Sequence, residues 1–280
     1  MPDPSSPIGV FDSGIGGLTV LAALRRRLPG EHLLYLGDTA RVPYGTRSPA
    51  TVERYSLRVA GHLVRRGVKA LVVACNTAST WALGPLRAAL EPRGIPVLGV
   101  IEPGARLAAA QSPTGRVGVI GTEGTVRGGV YPRTLAALRP GLVVQAVPCP
   151  LFVALAEEGW TDGEVARLTA EAYLAPLRGQ IDTLILGCTH YPLLRGPIAA
   201  ALPGVHLIDS AVAVAEATAQ RIAEAGLSRT EAGGPGAAGY LVTDNPERFQ
   251  AVGARFLHEA PPLPTVVDLS PDDDAALEGT

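Results

Sequence analysis

The sequence predicts an α/β fold in which two similarly built domains each contain a parallel β-sheet. Short β-branched or Leu-rich segments alternate with Ala/Leu/Arg segments of helical period along most of the 280 residues, a length that accommodates two domains. Residues 70–74 and 183–186 are almost entirely apolar, which is typical of strands buried on both faces. The same local pattern follows both of these segments, which suggests an internal repeat.

The predicted strands are brief apolar segments bounded by polar or turn residues. In chain order they cover residues 8–11, 33–36, 70–74, 97–100, 116–120, 142–146, 183–186, 205–208, 239–242 and 265–269. The predicted helices carry apolar residues at the helical period. They cover residues 17–27, 50–66, 81–90, 103–110, 126–138, 164–177, 193–202, 211–225 and 246–257.

Two segments lack such patterns. Residues 226–239 are Gly/Ala-rich and polar, which predicts a loop. The acidic residues 271–280 predict a frayed end.

Composition excludes several classes of protein. The 24 basic and 26 acidic residues are spread along the chain, so the sequence offers no basic face for a nucleic acid. No apolar segment reaches the roughly 20 residues of a membrane span. Residues 1–7 lack the basic and apolar regions of a signal peptide. We therefore expect a cytoplasmic protein with neither nucleic acid nor membrane as a partner.

The cysteines and the lysine restrict the chemistry further. Cys75, Cys149 and Cys188 are odd in number and widely spaced, which favours reduced thiols over disulfides. Cys149 lies between two prolines and is expected to be structural. The cluster around Cys188 offers too few ligands for a metal. Lys69 is the only lysine and begins a predicted buried strand, which disfavours a pyridoxal phosphate enzyme.

Cys75 and Cys188 occupy equivalent places in the internal repeat. Residues 70–77 align with residues 183–190: each is an apolar strand, a small residue, Cys and two polar residues. The carboxyl ends of strands are where open α/β sheets bind ligands. One such cysteine is most simply a small core residue, but two with matched polar neighbours favour catalytic thiols facing each other across a cleft. Both precede predicted helices, whose amides and dipole favour a thiolate.

The glycine-rich loop after the first strand allows more than one interpretation. It resembles a dinucleotide fingerprint, with Asp38 at the expected distance, but Thr19 takes the third glycine position. The carboxylate of Asp12 would also lie unfavourably close to a pyrophosphate. We favour a substrate loop in which backbone amides and Ser13 bind a carboxylate. A helix cap remains the alternative for Asp12.

Other polar residues follow the predicted strands. His190 could shuttle a proton to Cys188 or form a polar wall, and the loop at residues 121–125 could bind an anion. By themselves, the loop at residues 43–45 is an ordinary turn and Glu157-Glu158 is a solvated helix end. Side-chain donors near the two cysteines come from Asn76, Thr77 and Thr189.

Taken together, these segments resemble the aspartate/glutamate racemase family. The resemblance rests on residues 9–20, 37–39, 43–45, 74–79, 118–122, 124–126, 149–152, 186–193 and 243–249. It implies two flavodoxin-like, doubly wound parallel-sheet domains related by a pseudo-twofold axis, with the active site at their interface. The first would combine residues 1–97 with 208–280 and carry Cys75; the second would be residues 98–207 and carry Cys188.

The resemblance also implies a function. The expected reaction interconverts L- and D-glutamate without a cofactor and supplies D-glutamate for peptidoglycan synthesis. A thiolate and a thiol would transfer protons at the α-carbon, with Cys75 as the base for D-glutamate and Cys188 as the base for L-glutamate. A homodimer is expected as well.

The same resemblance supplies the remaining site residues. Glu157 matches a family acid near the second cysteine, and Thr122 and Thr125 are expected to support the site. The substrate would be bound by Asp12, Ser13, Tyr44, Gly45, Asn76, Thr77, Thr189 and His190.

Three rival functions stay open at this point. They are a racemase for another substrate such as aspartate, a nucleotide-binding dehydrogenase, and a non-catalytic regulatory protein. Loss of optical rotation from L-glutamate with no additive would separate a glutamate racemase from the last two. Residues 1–7 and the acidic end are not part of the family pattern.

Overall fold

The computed structural model describes residues 2–230 and 234–277. Parts of the predicted loop at residues 226–239 and of the predicted frayed end at residues 271–280 lie outside the described residues. The strands are β1 (Ile8–Asp12), β2 (Leu33–Gly37), β3 (Ala70–Val73), β4 (Val97–Gly99), β5 (Arg116–Gly121), β6 (Val143–Pro148), β7 (Thr183–Gly187), β8 (His206–Asp209), β9 (Ala238–Val242) and β10 (Thr265–Val266).

Helices follow most of the strands and cover the sheets. They are α1 (Leu18–Arg27), α2 (Pro49–Arg65), α3 (Asn76–Trp81), α4 (Leu83–Leu90), α5 (Ile101–Gln111), α6 (Glu123–Gly128), α7 (Val130–Leu138), α8 (Leu151–Glu158), α9 (Gly163–Leu174), α10 (Arg195–Ala201), α11 (Ser210–Glu224), α12 (Pro246–Leu257) and α13 (Pro271–Ala275). Among the described residues, no helix combines the length and the apolar character needed to cross a membrane.

The strands form two parallel sheets, which confirms the predicted fold class. One has the order β10-β9-β2-β1-β3-β4 and the other the order β6-β5-β7-β8. Every strand pair is parallel. The strands β1, β3 and β7 are buried along their whole length, which explains why their sequences are so apolar.

The internal repeat corresponds to a repeated strand order. The order β2-β1-β3-β4 in the larger sheet matches β6-β5-β7-β8 in the smaller one. Cys75 follows β3 and Cys188 follows β7, so the cysteines occupy equivalent places. In each sheet the chain turns back at the central pair of strands, and ligands bind beside such switch points.

The two sheets are joined by a common apolar core. One buried cluster contains Val10 and Val72 from the larger sheet together with Val119 and Ile185 from the smaller one. The chain passes between the sheets after β4 and after β8, where α5 and α11 pack against each other. The predicted boundaries at 97/98 and 207/208 fall within these two strands, and the division into domains stays a prediction.

Several predicted elements differ from the structure. The predicted helix at residues 126–138 is two helices separated by Gly129, whose φ of 62° interrupts helical geometry. The helices α3 and α8 were not predicted. The predicted frayed end is wrong for its described part, because residues 271–275 form α13. Its Asp273 is buried against α2, where it pairs with His62 at 3.1 Å and Arg65 at 3.0 Å.

Candidate active site

A cavity of about 350 Å³ opens between the carboxyl ends of the two sheets. Both predicted catalytic cysteines line it, as do all the predicted substrate-binding residues. Its lining consists of Asp12, Ser13, Gly14, Val42, Pro43, Tyr44, Gly45, Thr46, Cys75, Asn76, Thr77, Thr122, Glu123, Pro150, Val153, Ala154, Glu157, Cys188, Thr189 and His190. Thr125, the remaining predicted residue, lies just behind this lining.

Cys75 is the N-cap residue of α3. Its Sγ accepts a hydrogen bond from the backbone N–H of Ala78 at 3.4 Å and lies 3.4 Å from Ser13 Oγ. Its side chain is only 6% exposed. Burial, together with the negative charge of Asp12, raises the pKa of the Cys75 thiol to about 12. The backbone amide of Ala78 lowers this pKa, as expected at a helix terminus, but burial and the charge of Asp12 outweigh it.

Cys188 has different surroundings. The chain after it enters a 3₁₀-helix, Tyr191–Leu194, whose N-cap residue is His190. Cys188 Sγ lies 3.8 Å from His190 Nδ1. Burial lowers the pKa of His190, but the hydrogen bonds with Cys188 and Glu157 outweigh it and raise this pKa to about 10. An imidazolium thus stands beside the second sulfur.

Glu157 and Arg248 extend this arrangement across the cleft. Glu157 Oε1 lies 3.1 Å from His190 Nε2, and Arg248 donates to Glu157 Oε2 at 3.2 Å. Burial raises the pKa of Glu157, but His190 and Arg248 together lower it by more, so the net shift of this pKa is downward. The interpretation of Glu157 as a solvated helix end is therefore wrong.

Asp12 lies at the end of β1 beneath the glycine-rich loop. Its Oδ2 accepts from the backbone N–H of Gly14 at 2.9 Å. The N-cap residue of α1 is Gly17, so Asp12 is not the helix cap considered as an alternative. Burial raises the pKa of Asp12, and the charge of His190 opposes this shift.

Three threonine hydroxyls connect the two sides of the cavity. Thr77 Oγ1 lies 2.9 Å from Thr122 Oγ1 and 3.3 Å from Thr125 Oγ1. The remaining pair, Thr122 and Thr125, is 3.2 Å apart. Thr77 belongs to α3 and the other two to the start of α6, so the cluster joins the sheets at their facing edges. Two of these hydroxyl groups, those of Thr77 and Thr122, belong to residues that line the cavity.

Two tyrosines hold polar groups in place. Tyr131 donates to Asn76 Oδ1 at 2.8 Å, which leaves the Asn76 amide N–H groups as donors. Tyr44 donates to Asp38 Oδ2 at 2.6 Å, and Asp38 also accepts from Thr243 at 2.9 Å. Asp38 therefore anchors the Tyr44 loop.

Cys149 lies apart from this site. It is buried, does not line the cavity, and burial raises its pKa to about 12. Its backbone oxygen accepts from Tyr191 at 2.8 Å.

Sequence patterns missed three kinds of contributor. Val42, Pro150, Val153 and Ala154 form apolar cavity walls, and Tyr131 orients Asn76. No local pattern distinguishes such residues from ordinary core. Arg248 lies in segment 243–249, which resembles the family, and this resemblance was the one sequence feature that could have pointed to Arg248.

Residues 9–218 match the family model described as Asp/Glu/Hydantoin racemase. A glutamate racemase of Geobacter metallireducens is 54% identical over 256 residues, which cover 91% of this chain and 93% of the relative. One from Thermus thermophilus is 51% identical and covers 91% of this chain and 94% of its own length.

Solved structures show the same likeness. Glutamate racemase from Thermus thermophilus in complex with β-chloro-D-alanine superposes with a TM-score of 0.85 at 49% identity, covering 97% of this chain and 99% of that one. Glutamate racemase from Francisella tularensis in complex with D-glutamate superposes with a TM-score of 0.88 at 37% identity, covering 95% and 99%.

Proposed function

Because the chain belongs to the Asp/Glu/Hydantoin racemase family, we propose that it interconverts L- and D-glutamate by a two-base mechanism without a cofactor. Its relatives identify it as an amino-acid racemase, an isomerase. The observation that carries the mechanism is that Cys75 and Cys188 end equivalent strands and line one cavity. Inversion of a carbon centre needs a proton removed from one face and another delivered to the opposite face.

For L-glutamate, the Cys188 thiolate takes the α-proton and becomes a thiol. The electron pair of the broken C–H bond stays on the α-carbon and spreads into the neighbouring carboxylate. The Cys75 thiol then donates its proton to the opposite face and becomes a thiolate. D-glutamate follows the same steps in reverse, so each direction uses both sulfurs.

The protonation states around the cavity support this assignment. The raised pKa of Cys75 keeps it a thiol in the ligand-free protein, as an acid for L-glutamate must be. At the other sulfur, His190 Nδ1 lies 3.8 Å from Cys188 Sγ, so an imidazolium there offers a hydrogen-bond donor to the base. The substrate ammonium would offset the charge of Asp12, which lowers the cost of ionising Cys75 in the reverse direction.

The cavity provides polar groups for a carbanion-like intermediate. Ser13, Thr77 and Thr122 offer hydroxyls, and Asn76 offers amide N–H groups. Fixed donors in a site with little water stabilise developing charge without having to reorganise during the reaction. We assign the substrate carboxylates to these donors and the ammonium to Asp12.

The sulfur assignments are tested with glutamate analogues that carry chlorine on the β-carbon. Removal of the α-proton expels chloride, so one base suffices and each enantiomer reports on one sulfur. Cys75→Ala and Cys188→Ala should each abolish racemisation of glutamate. We expect Cys75→Ala to process only the L-analogue and Cys188→Ala only the D-analogue.

Dialysed wild-type protein provides the reference, with loss of optical rotation from L-glutamate and from L-aspartate as the readout. Cys149→Ser is the matched cysteine control and should retain activity. Equal loss with both analogues in both alanine variants, with folding verified, would contradict two bases. Activity that returns only with an added cofactor would contradict the cofactor-free mechanism.

We also place this activity in the cytoplasm, as a homodimer that supplies D-glutamate for peptidoglycan. A cell that lacks the gene should then require D-glutamate for growth, and growth without it would refute this role. Sedimentation of the purified protein tests the dimer, and fractionation of the host cell tests the compartment.

A further inference from the structure

The geometry points to Arg248 as a positioning residue that acts on Cys188 through Glu157 and His190 from the opposite side of the cleft. This inference rests on the proposed function. Arg248 belongs to α12, which follows β9 of the larger sheet. Glu157 lies in the last turn of α8, His190 lies in the loop after β7, and both belong to the side of the smaller sheet. A single row of contacts thus runs from Arg248 on the side of the larger sheet to Cys188 on the side of the smaller sheet. It consists of Arg248, Glu157, His190 and Cys188.

Each contact in this row fixes the next side chain. Arg248 binds Glu157 Oε2 at 3.2 Å, and Glu157 Oε1 lies 3.1 Å from His190 Nε2. With both carboxylate oxygens engaged, Glu157 has one favoured orientation. His190 then presents Nδ1 to Cys188 Sγ at 3.8 Å.

The helix α12 supports His190 at a second point. Phe256 packs edge-on against the His190 ring, with 5.3 Å between ring centroids. Arg248 and Phe256 together make α12 a brace for the His190–Glu157 pair. Arg248 has no direct contact with the cavity, so it was not recognised as a member of the site.

The charges around the row fix the sign of the expected pH effect. His190 interacts with Cys188 and Glu157, and its charge also acts on Asp12. Glu157 interacts with His190 and Arg248, and Arg248 also pairs with Glu158 at 3.5 Å. Removing the Arg248 cation takes away one of the two partners that lower the pKa of Glu157. That pKa should therefore rise, and Glu157 should become protonated at a higher pH than in the wild type.

Racemisation rates alone cannot reveal such a one-sided role. The enantiomers have equal free energies in water, so their equilibrium constant is one. Any substitution must then change kcat/KM equally in the two directions. Elimination from the β-chloro analogues removes this constraint, because each enantiomer engages one base. The relevant analogue is the one that the Cys75→Ala variant still processes.

We expect Arg248→Gln to lower kcat/KM for that analogue about fivefold, a size consistent with a half-exposed ion pair. The acidic limb of its pH profile should move to higher pH, because the pKa of Glu157 loses the lowering effect of the Arg248 cation. The other enantiomer should be processed at an unchanged rate, because Cys75 has no contact with this row. Arg248→Lys should restore part of the rate and of the pH profile.

Arg25 offers a matched control for loss of a surface arginine. It pairs with Glu259 at 3.2 Å and its side chain is 46% exposed, against 48% for Arg248. Arg25→Gln should leave both analogues unaffected. Glu158→Gln is a second control, because it removes the other partner of Arg248 without touching Glu157.

A double-mutant cycle tests whether Arg248 acts through Glu157. In a Glu157→Gln background, Arg248→Gln should cause little further loss, because the connection is already broken. Equal loss for both enantiomers with an unmoved pH limb would make Arg248 merely structural and overturn the inference. Full additivity in the cycle would overturn it as well. Failure of wild-type protein to racemise glutamate would instead refute the proposed function.

Discussion

Cys75 and Cys188 share a place in the repeat but not an environment. Cys75 has Ser13 and Asp12 beside it, whereas Cys188 has His190 backed by Glu157. A carboxylate disfavours negative charge on a neighbouring sulfur, and an imidazolium favours it. The two thiols therefore have neighbours of opposite charge, although they follow equivalent strands.

This contrast predicts how Cys75 reacts with an alkylating agent. With a pKa of about 12, its thiolate fraction should rise about tenfold per pH unit from neutral pH to pH 10, with no plateau. Asp12→Asn removes a charge that raises this pKa, so the variant should be alkylated faster at every pH. Peptide mass spectrometry after brief iodoacetamide treatment measures both effects.

Cys149 serves as an internal control for this experiment. Its side chain is fully buried, so labelling there would report unfolding rather than thiolate content. A plateau in Cys75 labelling at or below pH 9 would contradict the raised pKa.

The sequence predicted which residues line the site better than it predicted their ionisation. Cys75, Cys188 and their polar neighbours follow repeated strands, and parallel strands bring such positions to one edge. The pKa of Cys75 depends on burial and on Asp12, which is 63 positions away in the chain. Tyr131 and Arg248 act through contacts between elements that are distant in the chain. Local sequence patterns therefore predict neither the pKa of Cys75 nor the roles of these two residues.

At the scale of elements, the central strands and long helices were predicted closely, because their apolar periodicity is strong. The short helices α3 and α8 were missed. The helix α3 begins at the site residue Asn76, and α8 begins directly after the cavity residue Pro150; the polar segment and the proline obscure the helical pattern. The helix α13 was missed because its three consecutive aspartates suggested a solvated end. Asp273 instead completes a capping box and binds two side chains of α2.

This docking of α13 gives a stability prediction. Asp273→Asn should lower the free energy of unfolding by about 1–3 kcal/mol, because a buried charged acceptor for His62 and Arg65 is lost. Asp272→Asn is the control, since Asp272 is exposed in the same helical turn. Urea denaturation of the three proteins measures the difference, and equal stability of both variants would show that α13 contributes nothing through Asp273.

At the scale of the whole molecule, the cleft depends on how closely the two sheets' loops approach. A Cβ at Gly45 would lie 2.7 Å from Thr122 Cβ across the cavity, and Gly124 packs against the backbone of the same loop. The sequence repeat is consistent with the strand order that the two sheets share, β2-β1-β3-β4 in one and β6-β5-β7-β8 in the other. The shared core between the sheets could not be predicted, because local patterns do not specify which apolar faces meet.

The close approach at Gly45 leads to a prediction about the cleft. Gly45→Ala should force the facing loops apart and lower kcat/KM for glutamate about tenfold, through overpacking of about 1–3 kcal/mol. Gly84→Ala is the control, because no atom lies within 4 Å of a Cβ placed there. Racemisation assays measure kcat/KM, and thermal melts verify that the variants are folded. A kcat/KM equal to that of the wild type in Gly45→Ala would show that the facing loops separate without cost.

The repeated strand order has a geometric consequence for a substrate with two mirror-image forms. A rotation can bring one copy of a repeat onto the other, but no rotation converts a molecule into its mirror image. Two identical half-sites would therefore bind L-glutamate in two equivalent orientations, one with its α-hydrogen toward each sulfur. The matched strands supply the two opposed sulfurs, and the unmatched side chains around them favour a single orientation. In the proposed mechanism, the difference between the Asp12 side and the His190 side is thus what reserves each sulfur for one enantiomer.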